Sequence, residues 1–288
     1  MANGNINLAQ LSLEGLALGD AFGELFFFRS PQKTTFEDIE GENWYWTDDT
    51  HMALSIFETL KYHGRIDQDV LAKTFAKRYR DDPFRGYGGG AARLLKAIGQ
   101  GADWRTEAAT LFGSGSYGNG AAMRVAPVGG CFHEDFNRAA NEAALSATVT
   151  HAHPEGKAGA IAVAVAAAIA AQRPYPQENE FIRTVLDFVP ESITRERMKL
   201  SLTIPPGDLK EAIMKLGTGM NVSAQDTVPF CLWTAAYHLD DYKRALWETV
   251  KGHGDSDTTS AIVGGIVALS APELPLEWLK RREPLPVV

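Results

Sequence analysis

Two acidic segments carry the residue types for chemistry. Trp46-Thr47-Asp48-Asp49-Thr50 and Gly254-Asp255-Ser256-Asp257-Thr258-Thr259 each stand directly before an apolar helical stretch. One Asp, Ser or Thr is enough to cap a helix, because a single side-chain oxygen satisfies a free backbone N–H. An acid in the first turn gains only about 0.3–1 kcal/mol from the helix dipole. Two segments with paired acids and flanking hydroxyls exceed that need. If the four acids converge at spacings near 5 Å, each pair repels by about 3 kcal/mol at an effective dielectric near 20, roughly 20 kcal/mol in all. Such a cluster requires cations or protonation. Carboxylates and hydroxyls are hard oxygen donors suited to Mg²⁺, Mn²⁺ or Ca²⁺. The chain has no Cys-x-x-Cys or His-Glu-x-x-His, which argues against a structural or protease-type zinc site. Four carboxylates have charge enough for two divalent ions, and paired metals activate water and hold polar substrates.

A glycine-rich segment, Gly113-Ser114-Gly115-Ser116-Tyr117-Gly118-Asn119-Gly120, precedes Ala121-Ala122-Met123-Arg124, which is expected to be helical. Several backbone N–H groups of such a loop can turn toward one anion. It lacks the Gly-Lys-Ser/Thr of a nucleotide phosphate loop and follows no evident strand, so the dinucleotide fingerprint fails as well. A surface turn is its plainer reading. Gly86-Tyr87-Gly88-Gly89-Gly90 is a second such loop, readable also as a helix stop and restart. In Thr150-His151-Ala152-His153-Pro154, the proline biases His153 toward extended geometry, so a ligand contact or a helix cap suits these histidines better than a metal. His253, beside the second acidic segment, is a candidate to support a metal ligand. His51, His63, His133 and His238 read as structural or surface residues.

The elements that must position these groups are helical. Apolar residues recur at helical spacing after Asp49 (Leu54, Ile56, Phe57, Leu60) and again through Val70, Leu71, Thr74 and Phe75. Further helical stretches are predicted at 7–25, 89–99, 135–149, 155–172, 178–188, 207–217, 225–239, 241–251 and 257–270. Strand-like alternation is scarce and no fixed repeat or low-complexity linker divides the chain. The expectation is one all-α domain over residues 1–288, a compact orthogonal helical bundle. Small residues inside helices, such as Gly15, Ala17, Gly19, Gly264 and Gly265, predict close helix–helix contact, since an interior Gly otherwise costs about 1 kcal/mol against Ala.

Of 288 residues, 45% are hydrophobic and 22% charged, with a net charge of −8. These values fit a soluble globular chain and argue against disorder and against general nucleic-acid or anionic-membrane binding. The longest apolar run, residues 158–171, spans 14 residues, short of the roughly 20 that a membrane-spanning helix needs. Two cysteines and no basic leader point to a cytoplasmic protein. A monomer is the default expectation.

Taken in order, Gly15-Leu16-Ala17-Leu18-Gly19-Asp20-Ala21-Phe22-Gly23, Trp46-Thr47-Asp48-Asp49-Thr50, Gly118-Asn119-Gly120-Ala121-Ala122-Met123-Arg124, Thr150-His151 and Gly254-Asp255-Ser256-Asp257-Thr258-Thr259 resemble the ADP-ribosylglycohydrolase family. The resemblance implies an all-α fold with a binuclear metal cleft, holding two Mg²⁺ or Mn²⁺ ions. Thr47, Asp48, Asp49, Asp255, Asp257 and Thr258 would be the metal ligands, with Asp48, Asp49 and Asp257 serving catalysis. Ser116, Tyr117, Gly118, Asn119 and Gly120 would bind the diphosphate or proximal ribose, with Gly86, Tyr87 and Gly88 nearby, and His151 would contact the ribose. The reaction implied is metal-dependent hydrolysis of the glycosidic bond between ADP-ribose and a protein side chain, nucleobase or small molecule, through an oxocarbenium-like state. Known hydrolases of the family place a metal-contacting glutamate seven residues after the Asp of Gly-Asp-Ala; here that residue is Phe27. Glu24, about 60° away on a continuing helix, is the first candidate to replace it, and Glu37, Asp38, Glu40 and Glu42 are the others. Two alternatives remain: a two-metal hydrolase of another phosphorylated nucleotide or sugar, and a non-catalytic ADP-ribose binder or structural relative.

Overall fold

The computed structural model describes residues 4–176 and 178–288. Among the described residues fifteen α-helices follow one another: α1 (Ile6–Glu24), α2 (Asp48–His63), α3 (Gln68–Asp81), α4 (Gly89–Gly99), α5 (Trp104–Thr110), α6 (Ala126–Cys131), α7 (Phe136–Thr148), α8 (Pro154–Ala170), α9 (Glu178–Leu186), α10 (Ile193–Ser201), α11 (Leu209–Leu216), α12 (Ala224–Ala236), α13 (Tyr242–Val250), α14 (Ser256–Val267) and α15 (Leu276–Leu279). The fold is all-α, 62% helical. Among the described residues the only β pairings are two isolated bridges, Trp44 with Arg282 and Gly118 with Ser223. No described helix is long and apolar enough to cross a membrane.

Helix α8 runs through the middle of the molecule, with every residue from Ala158 to Ala170 buried. Its alanines leave room for α6, α7, α12 and α14 to pack around it. Both cysteines, Cys131 and Cys231, are buried and free. The tightest helix pair is α1 with α14. A Cβ on Gly15 would lie 2.6 Å from Gly264 O, one on Gly19 2.1 Å from Ser260 O, and one on Gly23 2.1 Å from Ser256 O. Four-residue steps on α1 thus meet four-residue steps on α14, backbone against backbone. Ser12 Oγ donates to Gly265 O at 2.8 Å, pinning the pair, and Tyr242 Oη at the start of α13 donates to Gly15 O at 2.6 Å. The helices run antiparallel, so the C-terminal end of α1 meets the N-terminal end of α14.

The structure departs from the sequence expectation in several places. Helices α5, α6, α10 and α15 are not visible as periodic stretches, because they are short or, like α10, mostly charged outside Thr194, Met198 and Ser201. Residues 121–124 are not an α-helix. The chain makes one 3₁₀ turn at Asn119–Ala121 and starts α6 only at Ala126, where Pro127 suits a helix start. The stretch 207–217 becomes helical only at Leu209, after the Asp208 cap.

The α1–α14 contact predicts a sharp contrast between glycines. Gly19→Ala places a methyl against the Ser260 carbonyl and should cost about 1–3 kcal/mol or more. Gly41→Ala, with nothing within 4 Å of the new Cβ, should stay within about 0.5 kcal/mol. Denaturant unfolding of the two variants checks this.

Candidate active site

The close approach of α1 and α14 sets Asp20 at the centre of an acidic cluster. Asp20 is fully buried near the end of α1. Its Oδ1 accepts from Thr47 Oγ1 at 2.9 Å. Its Oδ2 accepts from Thr47 N at 2.9 Å, Thr50 N at 3.1 Å and Thr50 Oγ1 at 2.5 Å. These bonds fix the first turn of α2 against α1. Thr47 also caps α2 through Asp49 N, and its hydroxyl lies 3.2 Å from Asp49 Oδ2. One hydroxyl proton therefore faces two carboxylates. Carboxylate oxygens of Asp20, Asp49 and Asp257 all lie within 4.8 Å of one another. The two acidic segments, distant in sequence, meet on α1.

Burial pushes these groups toward the protonated form. Asp20 is raised to about 6 despite its four hydrogen bonds. Asp48 is raised to about 7 by burial and by the Asp20 charge. Asp49 and Asp257 are pushed well above the ordinary carboxylate range by burial and by the surrounding acids. Asp49 Oδ1 is buried with no hydrogen-bond partner among the described residues. A buried acceptor left unpaired among hard oxygen donors fits a divalent cation, so the cluster can hold a metal ion. Thr258 donates its N–H to Asp257 Oδ1 at 2.7 Å. Asp255 is held by Asn119 Nδ2 at 2.7 Å, and the same amide nitrogen reaches Thr227 Oγ1 at 3.1 Å.

The acids form part of the wall of a cavity of about 440 Å³. Asp48, Asp49, Asp255, Asp257 and Thr258 line it, together with Gly86, Gly88, Ser116, Gly118, Asn119, Gly120 and His151. A Cβ on Gly120 would stand 2.8 Å from His151 Cε1 and one on Gly118 3.2 Å from His151 Nε2. Glycine at both positions lets the loop lie on the imidazole. The other loop is clamped by Arg85. It pairs with Asp82 and Glu283, donates to Trp46 O at 3.2 Å and stacks 3.6 Å over the Trp46 ring. Gly86 follows at φ +91°, where a Cβ would be 3.5 Å from Asp48 Oδ1.

Several expected residues stand elsewhere. Tyr87 and Tyr117 are not among the lining residues: Tyr87 Oη bonds His51 Nδ1 at 2.9 Å, and Tyr117 lies edge-on to His153. Thr47 faces Asp20 and Asp49 behind the wall. His153 caps α8 through Glu155 N. His253 does not support the acids; it turns out to Gln32 Oε1 at 2.8 Å. Phe26 packs on Phe22 and Trp247, Phe27 lines the cavity and Phe28 is fully exposed. Glu24 ends α1 with its side chain exposed and is not among the lining residues; partial desolvation and the Asp20 and Asp255 charges raise its carboxyl. Asp38 is occupied by Thr35 and Glu42 by Arg29, while Glu37 and Glu40 are exposed. Asp20 is the residue that sequence reasoning missed. Its signal is a lone acid between Gly19 and Ala21, in a run whose neighbours are all apolar or small.

Carboxylates gathered by helix ends beside a glycine-walled cleft, in an all-α frame, make a site able to hold a cation next to a bound ligand. The ADP-ribosylglycohydrolase profile matches residues 6–285, and the chain belongs to that family. An uncharacterized protein of Archaeoglobus fulgidus is 30% identical over 93% of this chain and 90% of its own length. The human ADP-ribosylhydrolase ARH3 is 29% identical, covering 81% of this chain and 73% of its own. The ADP-ribosylarginine hydrolase Tri1 of Serratia proteamaculans is 25% identical over 96% of this chain and 75% of its own. A solved structure titled "ADP-ribosylglycohydrolase-related protein complex" shares the fold, with a TM-score of 0.67 and 20% identity over 96% of this chain and 94% of that one.

The raised acids predict a pH signature in metal-free protein. A carboxyl whose folded pKa exceeds its unfolded value of about 4 stabilises fully below that value and loses the contribution as pH rises through the folded one. With Asp20 near 6 and Asp48 near 7, chelator-treated protein should lose stability between about pH 4 and 7. Melting curves across this range, with EDTA and with Mg²⁺, check it. Saturating Mg²⁺ should raise the melting temperature most at the alkaline end, because it binds only the native state.

Proposed function

We propose that the protein hydrolyses the bond joining ADP-ribose to a modified side chain, with two divalent cations, Mg²⁺ or Mn²⁺, at the acid cluster. The observation that carries this reading is the convergence of Asp20, Asp49 and Asp257 within 4.8 Å beside the cavity, whose wall includes Gly118, Gly120 and His151. Asp48, Asp49, Asp255 and Asp257 with Thr47 and Thr258 are the proposed ligands, and Asp20 joins them or orders them from behind. Bound cations there would offset the carboxylate charge, polarise ribose hydroxyls and make a water more acidic.

The chain's own groups have separate tasks in this reading. No Lys or Arg is among the described lining residues, so in this reading the backbone N–H groups of the two glycine loops other than that of Gly118, which is donated to Ser116 Oγ, face the diphosphate together with the Ser116 hydroxyl. His151, held neutral by burial with its pKa lowered to about 3, hydrogen-bonds the ligand without adding charge. Glu24, raised by partial desolvation and neighbouring acids, is the proposed proton carrier between water and leaving group.

Incubating the Mg²⁺-loaded enzyme with serine-linked and arginine-linked ADP-ribosyl peptides should release ADP-ribose from at least one, and EDTA should stop it. Release from none, under conditions where the protein is folded and metal-loaded, contradicts the reading. Asp257→Ala should remove most activity while leaving the helical circular dichroism intact. Glu24→Gln should lower single-turnover hydrolysis by about 10²–10⁴-fold with ADP-ribose affinity little changed; an undiminished rate takes the proton-carrying role away from Glu24. Gly118→Val, whose side chain would crowd His151 Nε2 and Ser116 Oγ, should weaken ADP-ribose binding in calorimetry.

A further inference from the structure

Arg124 is fully buried and makes no ion pair among the described residues, although the Asp48 carboxyl is near enough to favour its charge. Its guanidinium stacks 4.4 Å over the Phe75 ring, donates through Nη2 to Ser146 O at 3.2 Å and to Thr150 Oγ1 at 2.8 Å, and reaches Met52 Sδ. Its Nε has no partner among the described residues. Arg124 does not line the cavity, so it does not touch a ligand there. A buried cation without a directly paired acid is costly, and packing alone would be served by Met or Leu. An arginine at this place needs a reason that an apolar side chain cannot supply.

That reason lies one bond further on. Thr150 Oγ1 also stands 2.7 Å from His151 Nδ1. These are the only two hydrogen bonds of the Thr150 hydroxyl among the described residues. Arg is a donor only, so the hydroxyl accepts from Nη2; if it accepted from Nδ1 as well, its own proton would be buried without a partner, a desolvation cost that is avoided when that proton goes to His151 Nδ1. We propose that Arg124 and Thr150 are positioning residues that fix His151 as the Nε2–H tautomer, so that this ring presents a donor, not an acceptor, to the cleft. Nδ1 is then the lone-pair nitrogen. Nε2 has no hydrogen-bond partner among the described residues, and the ring edge that carries it faces Gly118 and Gly120 at the cavity wall. The direction of the chain is Arg124 to Thr150 to His151 to ligand oxygen.

Arginine suits the head of such a chain. A hydroxyl or water at this position could rotate and reverse every bond after it, whereas a guanidinium cannot accept. Burial lowers Arg124 to about 9, still cationic at neutral pH. The same cation and the burial of His151 keep the imidazole neutral. A neutral ring has one donor and one acceptor, so which nitrogen holds the proton decides whether it attracts or repels a phosphate or ribose oxygen. The ligand side of this argument rests on the proposed function; the tautomer does not.

The test is a long-range ¹H–¹⁵N correlation spectrum of the ligand-free protein, with His151 identified by its loss in His151→Gln. The wild type should show a protonated Nε2 and an unprotonated Nδ1. Thr150→Ser, which keeps the hydroxyl, should retain that pattern. Thr150→Val should lose it, by mixing the tautomers or moving the proton to Nδ1, and ADP-ribose binding should weaken by about tenfold, the scale of one hydrogen bond. A wild-type ring protonated at Nδ1, or an unchanged Nε2–H tautomer in folded Thr150→Val, overturns the proposal. If Thr150→Val does not fold, the wild type and Thr150→Ser decide: an Nδ1–H ring in either overturns it, and Nε2–H in both supports it. Failure of the wild type to bind ADP-ribose, with the Nε2–H pattern intact, counts against the proposed function and leaves the tautomer assignment standing.

Discussion

The structure depends on the contact between the backbones of α1 and α14. Side chains at positions 15, 19 and 23 would hold the helices apart; glycine there brings α1 onto the Ser256, Ser260 and Gly264 carbonyls. The antiparallel crossing then lays the acid-bearing end of α1 against the first turn of α14. Asp20 binds both Thr47 and Thr50, so the first turn of α2 is drawn to the same place. Three helix ends thus meet where two of them have their N-termini. The dipoles there favour carboxylates by about 0.3–1 kcal/mol each, less than the roughly 3 kcal/mol of repulsion per close pair. Burial and mutual repulsion prevail, and Asp48, Asp49 and Asp257 are pushed toward the protonated form, which a cation in their midst would reverse. The close packing of α1 and α14 is what builds a site that asks for a cation.

The cleft beside this cluster is assembled from parts held by separate clamps. Arg85 fastens the loop bearing Gly86 and Gly88 to Trp46 and to Glu283 near the chain's end. Asn119 ties the other loop to Asp255. His151 lies under Gly118 and Gly120, held by Thr150. The first two clamps join the loops to Trp46, just before α2, and to Asp255, just before α14, so both loops are tied to the helix ends that carry the acids. A cavity without a lysine or arginine in its lining leaves anion recognition to backbone N–H groups and cations.

Much of this was legible in the sequence because charge patterns are local. Paired acids before two apolar helices exceed what capping needs, and the structure brings Asp49 and Asp257 together. The glycines of α1 read as close contact, although the partner could not be read, since nothing local links residue 19 to residue 260. Asp20 escaped notice for a related reason: its role lies in bonds to Thr47 and Thr50, across a loop, and not in its own helix. The segment 121–124 has helical composition, yet Asn119 is committed to Asp255 and Thr227, and the chain passes from the 3₁₀ turn at Asn119–Ala121 through a further turn before α6 starts at Ala126. His253 sits next to the acids in sequence, but a backbone at φ +52° turns it outward. Nearness along the chain was a poor guide wherever a tertiary hydrogen bond chose the direction.

The central claim is that the buried carboxyls beneath the cleft hold protons that a divalent cation displaces. Calorimetric titration of Mg²⁺ into chelator-stripped protein at pH 6, in two buffers of different ionisation enthalpy, measures it directly. Saturable binding is predicted, with heats that differ between the buffers by an amount reporting net proton release. Buffer-independent heats, or no saturable binding at millimolar Mg²⁺, would contradict it.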